Sequence, residues 1–458
     1  MRLSQIIAVL LLSLSGSLYA QDFGIELVDD TENILPKREQ AILMNRLLKS
    51  KQEIVLPQVM RETEIDMWIV SRDEGHLYIT LQESDKEGLI SDRFSYLVFF
   101  DKGEREGIER IGCGDRDLAE IIKARNPKQI AVNSAGRRSG SGTFRGSQET
   151  ELKQAIGEEL ASRIVNAGIL TNRWLGTCTD EQMSVFKVVL RLAHEIIAEA
   201  YSNKVVIPDV TTTDDLNWWI RQRYADLGIG THDHPTITIQ RSKEEREKYD
   251  DDDEYFRIFD ERFVDDPSPR CGLNIIIRRG DIIFCDTGIK YLGLYTDTQQ
   301  AAYVLKEGET DVPEGIKEAR RQVIRFQDIL GEEMKEGRDG NEAGVAAVKR
   351  AAQEGIKAKL YSHSLAYYVM RYGMLGGIFS DEARFAGSGM SGSGRGGRGG
   401  RDNPIRCNTL FALEMDVEYD VPEWNGQRLV LFSETGMAFT KRGMEFPGGR
   451  ETEWYVIK

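Results

Sequence analysis

Apolar residues recur at helical spacing across residues 32–61: Ile42, Leu43, Leu47 and Leu48, then Val55, Leu56, Val59 and Met60. That period predicts one or two surface helices. Apolar runs at 66–71, 77–81 and 96–101 read as strands, so the first unit mixes helices with a sheet. Residues 103–150 are polar and Gly-rich with a basic patch at Arg137, Arg138 and Arg145, and read as a solvated loop. Helical patterns return at 152–167 and at 179–201. The second is amphipathic and opens on a capping Thr179 with Glu181 and Gln182 close behind. Further helices are expected at 214–227, 313–336 and 340–354. Residues 387–401, GSGMSGSGRGGRGGR, are a low-complexity flexible insert.

The strand pattern is sharpest in the last 180 or so residues. Residues 281–286 are bounded by Gly280 and Gly288, and residues 295–304 are again rich in aromatic and β-branched side chains, which is a hairpin signal. A loop centred on Tyr291 and Leu292 would set Asp286 directly opposite Asp297. Opposed residues have Cβ atoms about 4.5–5.5 Å apart, and like charges there destabilise the pair. A cation between them, or one protonated carboxyl, would relieve the repulsion. The bland alternative is that Asp286 opens a turn and Asp297 is solvated. Residues 410–421 alternate, with Phe411, Leu413, Met415, Val417 and Tyr419 on one face and Ala412, Glu414, Asp416 and Glu418 on the other. Glu414 thus points away from the apolar layer. A strand at 428–432 runs on to Glu434, and 437–441 begins another short piece.

Length and charge narrow the function classes. The 458 residues accommodate two or three domains at about 150 residues each. Residues 1–20 carry Arg2, an apolar run and a terminal Ala20, the pattern of a secretory signal, so the protein is expected to be exported, periplasmic or secreted. That run is too short to span a bilayer, and no stable membrane insertion is expected after cleavage. Loss of Arg2 takes the net charge from −15 to −16. So acidic a chain is a poor partner for nucleic acid, whose affinity comes largely from Lys and Arg. The acidic run 250–254 reads as a solvated loop, with calcium binding the weaker alternative. Five cysteines, Cys113, Cys178, Cys271, Cys285 and Cys407, show no CxxC spacing, so no zinc ribbon is implied, and their pairing stays open.

The carboxylates Asp286, Asp297, Glu414 and Glu434 carry surroundings that resemble a known family. RGDIIFCDTGIKYLGLYTDTQQAAYVLKEGETDVPEG, YSHSLAYY, NTLFALEMDVEYDVPEW and the closing RETEWYVIK are similar to the pita-bread metallopeptidases, in an exported bacterial Xaa-Pro peptidase-like branch. That group includes Xaa-Pro aminopeptidase, prolidase, methionine aminopeptidase and creatinase. LPQVMRETEIDMWIVSRDE is similar to the creatinase-type N-terminal domain. The resemblance implies an α+β architecture: a signal at 1–20, an N-terminal α/β domain at 21–165, and a pita-bread domain at 166–458.

The same resemblance implies two divalent ions, Mn, Zn or Co, on an Asp, Asp, His, Glu, Glu set. Asp286 and Asp297 match the aspartates, Glu414 the first glutamate and Glu434 the second. The histidine departs from the pattern: where the family has an HGHGxGP-like segment the chain reads Tyr368, Val369, Met370, Arg371, Tyr372, Gly373, Met374, so Met370 stands at the ligand position. His363 matches a position upstream of that ligand and is not assigned to the metal. His234, in HDHPTITIQR, matches a histidine lining the substrate side, where it would steady developing charge. A thioether suits hard divalent ions less well than imidazole does, so occupancy by one ion or none is an alternative to two.

The expected activity is metal-dependent hydrolysis of the N-terminal bond of short peptides, with proline beside the scissile bond. Glu414 or Glu434 would shuttle the proton. A homodimer is compatible with this. The alternative is a degenerate member that binds peptide or a partner protein without hydrolysis, which Met370 favours; a creatinase-like, metal-free chemistry ranks last.

Overall fold

The computed structural model describes residues 33–82, 94–133, 146–231, 235–248, 274–365 and 404–458. The leader 1–20, the basic patch, the run 250–254, Cys271, His234, Met370 and the insert 387–401, all singled out in the sequence, lie outside the described residues. Described helices are α1 (Lys37–Glu62), α2 (His76–Thr80), α3 (Leu118–Arg125), α4 (Gly146–Ile156), α5 (Glu158–Ala161), α6 (Gly168–Gly176), α7 (Asp180–Ala200), α8 (Thr213–Leu227), α9 (Lys243–Arg246), α10 (Glu314–Glu333) and α11 (Gly340–Gln353).

The first sheet joins β1 (Met67–Ser71), β2 (Tyr96–Asp101), β3 (Ile108–Cys113), β4 (Ile130–Val132) and β5 (Ile164–Asn166) in the order β3-β2-β1-β4-β5. β1 pairs antiparallel with β2 and parallel with β4. Its two faces feed different cores. Trp68, Val70 and Phe99 meet Leu56 and Val59 of α1 and Trp174 of α6, while Met67, Ile69 and Val98 meet Ile122 of α3 and Ile156 of α4. This is the α/β layering expected of the N-terminal part.

Three local expectations are corrected here. Residues 77–81 form α2 rather than a strand: Leu77, Tyr78 and Leu81 are buried while Ile79 is exposed, a helical face that a five-residue apolar run disguises. Residues 152–167 are not one helix, because Gly157 takes φ +86° and separates α4 from α5, after which the chain enters β5. The stretch 103–150 is more than a loop. It holds β3, an edge strand whose Glu109 accepts two hydrogen bonds from Arg125 at 2.9 and 2.7 Å, with α3 and β4 behind it.

The larger sheet is built from β7 (Thr236–Gln240), β8 (Ile282–Thr287), β11 (Thr298–Val304), β12 (Lys357–Ser364), β13 (Thr409–Val421) and β14 (Gln427–Thr440), in the order β12-β13-β14-β11-β8-β7. β15 (Gly443–Glu445) extends β14, and β16 (Tyr455–Ile457) runs parallel beside β11. A small sheet orders β10 (Leu294–Tyr295), β9 (Ile289–Tyr291) and β6 (Gly230–Thr231). Helices flank the large sheet on both sides. Ile282 and Phe284 of β8 pack with α10 and α11, whereas Ile283 and Cys285 pack with α7 and α8. A strand buried on both faces reads as a continuous apolar run, as IIFC does.

α7 is specified as the sequence predicts, with Thr179 and Gln182 forming a reciprocal cap. β14 is one strand through Glu434, Thr435 and Gly436 to Thr440, not two pieces. Gly436 is polar-looking punctuation in sequence, but a Cβ there would collide with Leu190 of α7. The start of β8 is pinned by Asp281, which accepts from Arg241 at 2.6 and 2.9 Å and from Arg278 N at 2.6 Å, with both side chains of the ion pair fully buried.

Candidate metal centre

The sheet register assembles the centre. Across six strands, Thr236, Asp286, Gln299, Glu434, Glu414 and Tyr361 are successive cross-strand neighbours. Such neighbours share one face of a pleated sheet. Four sequence-predicted carboxylates, Asp286, Asp297, Glu414 and Glu434, are therefore brought together, although not by the expected pairing. Asp286 pairs with Gln299, and Asp297 lies in the step between β10 and β11. The hairpin turns at Leu292 and Gly293, one residue later than predicted, with Leu294 opposite Tyr291. Both turn residues have positive φ, 53° and 75°, the two-residue geometry matched to strand twist, and Gly293 is the residue that allows it. The directly opposed acids are Glu414 and Glu434 instead.

Helices and side chains brace these strands. The Tyr201 hydroxyl donates to Gln300 O at 2.9 Å, Tyr224 and Thr287 hydroxyls lie 2.6 Å apart, and Thr298 Oγ1 donates to the carbonyl of Glu434 at 3.0 Å. Glu451 Oε1 accepts from Ala301 N at 3.1 Å and pairs with buried Arg320, which ties the C-terminal segment to β11.

His363 on β12 enters the same centre. Its Nε2 lies 3.0 Å from Glu414 Oε1 and 3.4 Å from Asp297 Oδ2, and the side chain is 2% exposed. Ligand atoms of Asp297, His363 and Glu434 all lie within 4.8 Å of one another. Sequence reasoning left His363 unassigned. The signal was available in the alternation of KAKLYSHS, where Ala358 and Leu360 point into the α10–α11 core and Tyr361 and His363 take the opposite face, that of Glu414.

Electrostatics follow from burial of like charges. Glu434 is pushed well above the usual carboxylate range, first by burial and then by the charges of Asp297, Glu414 and Asp286. Burial also raises Glu414, with the hydrogen bond from His363 opposing it. Burial alone would lower His363, but Asp297 and Glu414 beside its Nε2 raise it to about 10, which favours a charged imidazole among the acids when no cation is bound. Tyr361 is pushed up to about 12 by burial and by Glu414, Glu434 and Asp297.

Glu434 Oε1 is buried and, among the described residues, has no hydrogen-bond partner. An orphaned carboxylate oxygen within ligand distance of another carboxylate and an imidazole fits a divalent cation, whose charge would replace that of the imidazolium. These residues therefore fit the metal that the resemblance implies. Two disagreements with an unperturbed sheet, opposed glutamates and a buried imidazole among acids, have the same resolution.

Comparisons with known proteins bear on the fold and the family. No curated protein matches the chain in sequence. Among solved structures, the chain is similar to an X-Pro aminopeptidase from Thermotoga maritima, at 12% identity and TM-score 0.56, covering 87% of this chain and 99% of the other. It is also similar to a dipeptidase from Pyrococcus horikoshii (12%, TM-score 0.55, 90% and 99%) and a Xaa-Pro dipeptidase from Bacillus anthracis (12%, TM-score 0.53, 90% and 100%). At such identity these likenesses speak for the fold, which is the α+β pita-bread fold. Residues 181–437, more than half of the 458, match the model of metallopeptidase family M24, and the chain belongs to that family.

Proposed function

We propose that the protein is a metal-dependent peptidase of the Xaa-Pro aminopeptidase or prolidase type, acting at the N-terminal bond of short peptides. The observation that carries this reading is the convergence of Asp297, His363 and Glu434 within 4.8 Å, with Asp286 and Glu414 in the same row of the sheet. Asp286, Asp297, Glu414 and Glu434 would hold the cation, and His363 would supply an imidazole to a ligand set whose family histidine is replaced in sequence by Met370. Divalent ions bound there would polarise a peptide carbonyl and acidify water, Mn, Zn and Co all being compatible with mixed carboxylate and imidazole donors.

The chain's own residues do the rest. One of Glu414 and Glu434, opposed on the same face of the sheet, would accept a proton as water attacks and return it to the departing amine. His363, against Glu414 Oε1, orients that carboxylate. The similarity to an X-Pro aminopeptidase and a Xaa-Pro dipeptidase supports proline beside the scissile bond.

A non-hydrolysing peptide binder is the second reading, favoured by Met370. The test is metal content and Xaa-Pro dipeptide hydrolysis of the purified chain beside His363→Ala and Met370→His. Turnover in the parent, lost in His363→Ala, supports the peptidase. Activity gained only in Met370→His supports the binder.

A further inference from the structure

We propose that Tyr361 is the hydrogen-bond donor that this chain offers to the carbonyl oxygen of a peptide lying over the carboxylate row. This rests on the peptidase reading above and assigns a group that reading does not use. Hydrolysis of an amide builds negative charge on the carbonyl oxygen, and a fixed donor aimed at that charge lowers the barrier most where water is excluded. Besides Tyr361, the donors in the row are Thr236 and Gln299, which lie on the far side of Glu434 from it. Asp286, Glu414 and Glu434 accept hydrogen bonds when ionised, and His363 is engaged between Asp297 and Glu414. Tyr361 is the cross-strand neighbour of Glu414 and ends the row on β12. A phenol is neutral at working pH and donates without adding a further negative charge to a site that already holds four acids.

Its orientation is fixed by its neighbours. Leu360 is buried in the α10–α11 core, and Ser362 Oγ donates to Ala412 O at 2.6 Å, so β12 cannot rotate and Tyr361 must take the site face. The ring lies against His363, centroids 5.7 Å apart and tilted by 55°, while the residue stays half-buried, as a group that meets substrate must.

The test is Tyr361→Phe on the full chain loaded with Mn²⁺, read by Ala-Pro hydrolysis, metal content, and calorimetric binding of a phosphinic Ala-Pro analogue whose P–O⁻ mimics the oxyanion. Removal of one such donor typically costs about 10²–10³ in rate. We expect kcat to fall on that order, KM to change less than about threefold, metal content to stay unchanged and analogue affinity to drop at least about tenfold. Unchanged kcat in Tyr361→Phe beside an active parent overturns this proposal alone. Should the parent hydrolyse nothing yet bind the analogue, weaker binding by Tyr361→Phe supports the donor and equal binding overturns it. A parent that neither hydrolyses nor binds overturns both this proposal and the peptidase reading.

Discussion

The centre is made by two antiparallel strand pairs that handle acidic residues differently. In β8–β11, Asp286 faces Gln299, and Asp297 sits outside the ladder beyond a two-residue turn. In β13–β14, Glu414 faces Glu434 directly, with register running unbroken for thirteen rungs around them from Thr409↔Phe439 to Val421↔Gln427. The first pair thus separates its charges by register, whereas the second opposes half-exposed Glu414 to buried Glu434. Accordingly Glu434 is held well above the usual carboxylate range by burial and neighbouring charge. The difference teaches that repulsion is concentrated on the glutamate side, and that a cation or imidazolium is needed there first.

The comparison breaks most severely if the aspartate side is detached from its support. Glu451 bonds Ala301 N of β11 and pairs with Arg320, whose guanidinium lies 4.5 Å from the Trp454 ring, and both charges are buried. Arg320→Ala leaves Glu451 buried without its cation, and loss of about 3–5 kcal/mol is expected, read as a lower urea midpoint. A midpoint within error of the parent would mean that β11 holds without the C-terminal segment.

Next in size is the response to cations. A divalent ion that binds only the folded chain stabilises it by about 2.7 kcal/mol at a hundredfold excess over Kd. Mn²⁺ should therefore raise Tm in the parent, and Glu434→Ala should abolish the rise. An equal rise in both would place binding away from the opposed glutamates.

How much of this was legible in the residues follows the same division. β13 alternates because one face meets α10 and α11 and the other carries Glu414, so its strand, its faces and its acid were readable. α7, α8, α10 and α11 were readable from apolar period and caps. The β8–β11 register was not, since it depends on whether the turn uses Leu292–Gly293 or the residue pair before it, and one residue there moves every opposition by two. His363 was obscured for another reason. The sequence after β12 departs from the family pattern at Met370, and only the pairing of β12 with β13 carries His363 to Glu414. Long-range pairing of this kind is not encoded in any local window.

Burial and opposition can be separated with Glu74, a buried carboxyl outside the centre. It accepts from Ser71 N at 2.8 Å and from Asn133 Nδ2 at 2.5 Å, and burial nevertheless raises it to about 7. A carboxyl raised on folding binds more protons in the folded chain between about pH 4.5 and 7, so stability is full below that window and falls as pH rises through it. A loss of about 3 kcal/mol across the window is expected, and Glu74→Gln should flatten it. If the slope survives in Glu74→Gln, another carboxyl is responsible.

The smallest effect tests the opposition itself. In chelator, Glu434→Gln removes one of two like charges that face each other across β13–β14, and should stabilise the folded chain by roughly 0.5–1 kcal/mol. Asp286→Asn, whose partner is the neutral Gln299, should change the urea midpoint by less. With saturating Mn²⁺ the order must invert, because the amide is a poorer ligand than the carboxylate and the variant forfeits the cation's contribution. A Glu434→Gln chain less stable than the parent in chelator would show that His363 already neutralises the pair, and that the glutamates are no more strained than the aspartates.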